Sequence, residues 1–264
     1  MNLKFATNIS FMFMEAPAIT ERYKLAKEAG FKAVESGFPF GHSIKDVSEA
    51  KNNAGVEQIL INVFTGDVSK GELGFAAIPG EEDNFKKSID LTIEYAKALN
   101  CKQIHIMSGK IKEATAMSNH DDVYVRNLSY AVEKFKKENI IGLIEPINNI
   151  TVPNYYMNSF QKGLDVVKKI NSPNLKLQLD IFHLQHICGN ITKNIKELLP
   201  YIGHVQIAQV PNRHEPDSSG EIDYKYVLSI LEREGYDGYV GLEYRPQSSS
   251  VGGLSWIQKY GYKL

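Results

Sequence analysis

A chain of 264 residues has room for one α/β barrel, which takes roughly 250, and for little else. Its 30 Lys and Arg against 31 Asp and Glu leave a formal charge of −1, which is no electrostatic footprint for nucleic acid or an anionic membrane. Two distant cysteines, Cys101 and Cys188, make no disulfide framework, and no apolar run approaches the ~18 residues of a membrane span, so a cytoplasmic setting is expected.

The opening segment, MNLKFATNISFMF, alternates in polarity and lacks the long apolar core of a signal peptide. It reads as a strand, Leu3–Ile9. Ile19–Ala29 gathers Tyr23, Leu25, Ala26 and Ala29 on one helical side and stops before Gly30, a C-terminal signal. Strands follow at Ala33–Glu35 and Gln58–Phe64. The stretch Thr65–Gly80, with Gly66, Gly71, Gly74 and Gly80, reads as a structureless loop: a mobile lid or a plain surface loop. Phe85–Leu99 is helical, with Asp83 as N-cap. Next come a strand at Gln103–Met107, a helix at Val123–Phe135 and a strand at Ile140–Glu145. Ser159 caps a helix at Phe160–Ile170, and strands follow at Leu175–Asp180 and His204–Ala208. A polar loop, Val210–Gly220, leads to a helix at Asp223–Glu234, a strand at Tyr239–Glu243 and a last helix at Gly253–Tyr260. Eight short β-rich runs alternating with helical stretches predict a (β/α)8 TIM barrel, one domain over residues 1–264. An open doubly wound sheet would carry a Gly-rich first turn, and no GxGxxG follows the first strand.

In such a barrel, chemistry gathers at the carboxyl ends of the strands. Four consecutive runs end in, or carry, a group that binds a hard cation: Glu145 in IIGLIEP, Asp180 in LKLQLDIFH, Gln206 in HVQIAQ and Glu243 in YVGLEY. A carboxylate closing an apolar run is costly unless paired or coordinated. One alone reads as a strand-end cap or half of an ion pair; four on neighbouring strands read as a ring. Three carboxylates and an amide suit one Mg²⁺ or Mn²⁺ better than Zn²⁺. Proton transfer beside a carbonyl needs a base and an acid, and Glu145 and Glu243, with Asp180 and Gln206 between them, are assigned to it as well as to the metal. His183 reads as a substrate contact or a loop histidine bonded to backbone. Arg213 reads as a partner for a substrate carboxylate or as surface charge. His105 is a pocket wall or a satisfied core residue. Phe11, Phe13 and Phe38 form an apolar wall or ordinary packing, and His186, His204 and His214 carry no assignment.

LIEPIN (Leu143–Asn148), QLDIFHLQ (Gln178–Gln185), HVQIAQVPNRHEPDSSGEIDY (His204–Tyr224), GLEY (Gly241–Tyr244) and GELGFAAIPG (Gly71–Gly80) resemble the hydroxypyruvate isomerase family of the xylose-isomerase-like barrels. The resemblance runs nearly end to end, and its strand-seven segment is long and specific. It implies interconversion of hydroxypyruvate and 2-hydroxy-3-oxopropanoate (tartronate semialdehyde), with Glu145 and Glu243 as proton donor and acceptor. It also implies metal binding by Glu145, Asp180, Gln206 and Glu243, and substrate contact by His183 and Arg213. The wider superfamily often has His at the third metal position, so Gln206 argues against a ketose 3-epimerase. Related members resemble 2-oxo-tetronate isomerases, and the sequence does not separate three carbons from four. A dehydratase, a DNA-repair endonuclease and a non-catalytic binding protein are the other classes this barrel allows. The partner expected is a small hydroxy-oxo acid, with no nucleic acid and no membrane. Barrel helix faces often support homo-oligomers, but no stoichiometry is legible.

Overall fold

The computed structural model describes residues 3–111 and 117–264, so Met1 and Asn2 of the opening segment lie outside the described residues. Eight parallel strands close into a barrel in chain order. They are β1 (Lys4–Asn8), β2 (Ala33–Ser36), β3 (Glu57–Asn62), β4 (Gln103–His105), β5 (Ile141–Ile144), β6 (Leu175–Asp180), β7 (Ile202–Ile207) and β8 (Tyr239–Leu242). Pairing of β1 with β8, Lys4 against Tyr239 through Thr7 against Leu242, completes the ring. The helices outside it are α1 (Ile19–Glu28), α2 (Ile44–Ala54), α3 (Glu82–Leu99), α4 (Met117–Glu138), α5 (Phe160–Ile170), α6 (Ile181–Ile187), α7 (Ile191–Leu198), α8 (Tyr224–Arg233) and α9 (Ser255–Lys259). The barrel expectation holds.

The details differ in five places. Helix α3 begins at Glu82, so Asp83 lies inside the first turn and does not cap it. The last helix is shorter than expected, a 3-10 turn at Gly252–Leu254 followed by α9. Helix α2 went unseen because its apolar face is thin: Val47 is its one buried residue. Its ends were nevertheless written locally, with Ser43 Oγ accepting from Asp46 N and Gly55 closing it in the left-handed conformation. The pair α6 and α7 was missed because the first of them starts directly on the last residue of β6.

The fifth difference is the stretch Thr65–Gly80. It is not structureless. After a 3-10 turn at Val68–Lys70, Phe75, Ala76, Ala77 and Ile78 are buried. Ala77 N donates to Ser108 O at 2.8 Å, and Asn127 Nδ2 on α4 donates to Ala76 O at 2.9 Å. Gly74 is required by this docking: with φ at +96°, a Cβ there would stand 2.2 Å from the Met107 carbonyl oxygen.

Strand alternation sorts the side chains. Phe5 and Thr7 of β1 turn outward, where Phe5 meets the buried Trp256 of α9 edge-on at 5.5 Å. The main core lies between strands and helices. A separate apolar cluster of Ala6, Ala33, Ile59, Leu60 and Leu143 comes from strands alone and plugs the barrel. Two residues further along three of those strands stand Asn8, Glu35 and Glu145, all buried and polar. The plug is thus the floor of the site.

Candidate active site

Asp180 ends β6 and is also the N-cap of α6. Its Oδ1 accepts from Phe182 N at 2.8 Å, which turns Oδ2 toward the barrel axis and Arg213. Glu145 and Glu243 stand one residue past β5 and β8, and Gln206 lies within β7. Glu145, Asp180 and Gln206 are buried, and the Glu243 side chain is 12% exposed.

Arg213 is not surface charge. Its Nη2 donates to Glu243 Oε2 at 2.5 Å and to Asp180 Oδ2 at 3.1 Å, and its Nε donates to the Glu243 carbonyl at 3.2 Å. The guanidinium carbon sits 4.7 Å from the Phe11 ring and 4.8 Å from the Phe182 ring, a cation held between two aromatic faces. Its backbone is in the left-handed region, φ +57°, which costs a non-glycine residue ~1–3 kcal/mol. Two backbone bonds hold it there: Arg213 N to Gln209 O at 2.8 Å and Arg245 N to Arg213 O at 2.7 Å.

His183 Nδ1 accepts the Asn148 backbone N–H at 3.2 Å. A neutral ring so bonded carries its proton on Nε2. That nitrogen faces Asp180 Oδ2 at 3.6 Å and Glu145 Oε1 at 3.7 Å. Burial, then the Arg213 charge, hold the His183 pKa well below the ordinary value, which keeps the ring neutral. His105 belongs to the site as well as to the core: its Nδ1 stands 3.5 Å from Glu145 Oε2, and burial lowers its pKa to about 3. Of the three phenylalanines, Phe11 covers Arg213, while Phe13 and Phe38 pack against other rings.

Beneath these residues runs a polar layer that sequence reasoning missed. Glu35, fully buried, accepts from His204 Nε2 at 2.5 Å, Gln206 Nε2 at 2.6 Å and Asn8 Nδ2 at 2.9 Å. Asn8 Nδ2 also donates to Glu243 Oε1 at 2.9 Å. Gln178 Nε2 donates to Gln206 Oε1 at 2.6 Å and to Glu145 Oε2 at 3.0 Å. The signal was available: Gln178 with Asp180, and His204 with Gln206, are polar pairs two apart in apolar strands, the spacing of one face. Gly241 makes room for this layer, since a Cβ there would lie 2.2 Å from Glu35 Oε2.

Electrostatically the mouth is over-supplied with negative charge. Burial first, then the neighbouring Glu243 and Asp180 carboxylates, push Glu145 well above the carboxylate range. Asp180 is also raised by burial, against the pull of Arg213, and Glu243 is pushed up to about 8 by burial although Arg213 touches it. Glu145 Oε1 has no hydrogen-bond partner among the described residues. Glu145, Asp180 and His183 each offer a ligand atom within 4.8 Å of the others, a group that could hold a metal ion.

Residues 23–260 match the family described as xylose isomerase-like TIM barrel. With this ring of side chains at the carboxyl ends of its strands, the chain is of the sugar-isomerase class of barrels. It is 44% identical over 98% of its length, and 95% of the relative's, to a Danio rerio protein named "Putative hydroxypyruvate isomerase". It is 40% identical to the 2-oxo-tetronate isomerase of Haemophilus influenzae, over 97% of this chain and 99% of that one. A crystal structure named AP endonuclease, family 2, from Brucella melitensis superposes with a TM-score of 0.94 at 39% identity, over 98% of this chain and 99% of that one. The chain belongs to the hydroxypyruvate isomerase family, whose members include the 2-oxo-tetronate isomerases.

Proposed function

We propose that the protein interconverts hydroxypyruvate and 2-hydroxy-3-oxopropanoate by moving a proton between adjacent carbons, with Glu145 and Glu243 as the proton-transferring groups. The observation that carries this is the orphaned Glu145 Oε1 in a buried mouth where three carboxylates face one guanidinium. Oxygen donors and unbalanced negative charge fit a hard divalent cation, Mg²⁺ or Mn²⁺. Glu145, Asp180, Gln206 and Glu243 would hold it. When bound, it would polarise the substrate carbonyl and stabilise the negative charge of the enediol. His183 suits substrate better than the ion, because its inward nitrogen carries a proton and therefore donates.

One glutamate takes a proton from the hydroxyl-bearing carbon, that carbon's hydroxyl proton passes to the former carbonyl oxygen, and the other glutamate returns a proton to the former carbonyl carbon. Their strands are three steps apart round the ring, so they approach the substrate from different sides. His183 Nε2–H donates to the substrate oxygen whose charge rises in the enediol. Arg213, with Nε and Nη2 engaged, keeps Nη1 for the substrate's carboxylate.

The likeness to the Haemophilus influenzae enzyme favours a second substrate, the four-carbon 2-oxo-tetronate, under the same chemistry. One extra carbon changes binding by only about 1–3 kcal/mol, so activity on both is expected. The Brucella melitensis protein's name points to nucleic-acid chemistry, but a chain of net charge −1 with a mouth of buried carboxylates is a poor host for a polyanion.

NMR of both substrates in D₂O, with and without chelator, tests the proposal. Expected are deuterium at the reacting carbons, loss of turnover with chelator, and a fall of about 10²–10⁴-fold in Glu145→Gln and Glu243→Gln. Near-normal turnover in both variants would refute it.

A further inference from the structure

We propose that Glu35, which touches no substrate, is the positioning residue that sets which atom Gln206 offers to the cation site. This rests on the metal reading above and goes beyond it. A glutamine amide is nearly symmetric in shape, and its oxygen and nitrogen ends differ by a flip. Only the oxygen end serves a cation. A ligand of this type therefore needs something to fix its orientation, as metal-bound histidines need a partner on their far nitrogen.

Glu35 supplies that constraint from below. A carboxylate accepts and does not donate, so at 2.6 Å from Glu35 Oε1 the Gln206 atom must be nitrogen. The far end of the same amide follows from this. Gln178 Nε2 lies between Glu145 Oε2 at 3.0 Å and Gln206 Oε1 at 2.6 Å. With nitrogen on the Glu35 side, the other Gln206 atom is oxygen, and the Gln178 atom facing it at 2.6 Å is the nitrogen that donates to it. Two amides are thus strung from Glu35 to Glu145, with the polarity of Gln206 set from the Glu35 end. The Gln206 oxygen is turned to the side of the barrel that carries Glu145.

The same Glu35 oxygen accepts from Asn8 Nδ2, which also holds Glu243 Oε1 at 2.9 Å. One buried carboxylate therefore orients two of the four groups assigned to the ion. His204 Nε2 on the other Glu35 oxygen locks the carboxylate in plane, and Gly241 leaves the space it fills.

The test is Mn²⁺ affinity of the whole protein by calorimetry, with thermal unfolding and kcat and KM alongside. Glu35→Gln keeps the size but lets the facing amide flip. A 10–100-fold loss of Mn²⁺ affinity is expected, the range for removing a partner of a metal ligand. Exchanging the two groups, Glu35→Gln with Gln206→Glu, restores this bond with donor and acceptor reversed and leaves only oxygens at position 206, while giving up the Asn8 contact on the same atom. That double variant should recover part of the lost affinity, the part due to Gln206, and fold even where Glu35→Gln alone does not. Mn²⁺ affinity within twofold of wild type in Glu35→Gln overturns the proposal, as does a double variant that binds no better than the single or that does not fold. Gln206→Ala separates the two ideas: unchanged Mn²⁺ affinity there means the metal assignment has failed, whatever Glu35 does.

Discussion

Glu145, Asp180 and Glu243 share one difficulty: each is ionisable and each is almost out of water. A lone buried carboxylate responds by holding its proton, and burial does raise all three. Glu243 is the clearest case, raised from its ordinary 4.5 to about 8. Between those values the native protein keeps a proton that the unfolded chain has lost, so the contribution of this group to stability is complete below about pH 4.5 and falls away toward pH 8. The slope for one such proton is at most about 1.4 kcal/mol per pH unit. Urea unfolding of ion-free protein at pH 5 and pH 8 should therefore show a smaller difference in Glu243→Gln than in wild type. Identical pH dependence in the two would remove Glu243 from the account. Glutamates raised toward working pH are also good proton carriers, and a bound cation would pull both back down.

Among the elements, the segment between β3 and α3 changes most from expectation to structure. Its glycines suggested mobility, yet they do different work. Gly71 and Gly80 turn in open space, whereas Gly74 lets the chain lie against the Met107 carbonyl. The half after Gly74 is bonded to the loop after β4 and to α4, while the half before it, Val68–Lys70 included, is largely exposed. Limited proteolysis should cut between 66 and 73 and spare 75–78. Gly74→Ala, which forces a Cβ into the carbonyl, should open 75–78 to cleavage and lower stability by about 1–3 kcal/mol. Cleavage of the wild type at 75–78 would contradict the docking. Any lid motion then belongs to the first half alone. The loop after β7 follows the opposite logic: backbone bonds at Gln209, Arg213 and Arg245 hold Arg213 in a costly conformation so that its guanidinium reaches two strands at once.

For the whole molecule, the barrel separates stability from function by height. Its apolar plug and outer core hold the strands together, and the polar layer above carries the surplus charge. No helix of the described residues is long and apolar enough to cross a membrane. If the surplus charge is matched by a cation, binding must stabilise the fold by mass action. Mn²⁺ at about a hundred times its Kd adds ~2.7 kcal/mol. For a chain of this size that should raise Tm by several degrees. The rise should vanish in Asp180→Asn and in excess chelator, as differential scanning calorimetry would show; an equal rise in that variant would place the cation elsewhere.

The barrel was legible in the sequence because its signals are local: β-rich runs of the right length, helical periodicity between them, and caps such as Ser159 that act within a few residues. The strand-end acids were legible for a similar reason, since a carboxylate closing an apolar run stands out. Which partner each acid takes was not. Arg213 is 33 residues from Asp180 and 30 from Glu243, and Glu35 is 171 from Gln206; only closure of the ring brings them within a hydrogen bond. Distances of that kind are set by the register of eight strands together, and no short stretch of chain encodes them. The sequence by itself determined the barrel and the chemistry its mouth could host. The tertiary structure alone decided that Arg213 is inside the site and that a buried glutamate turns the glutamine of β7.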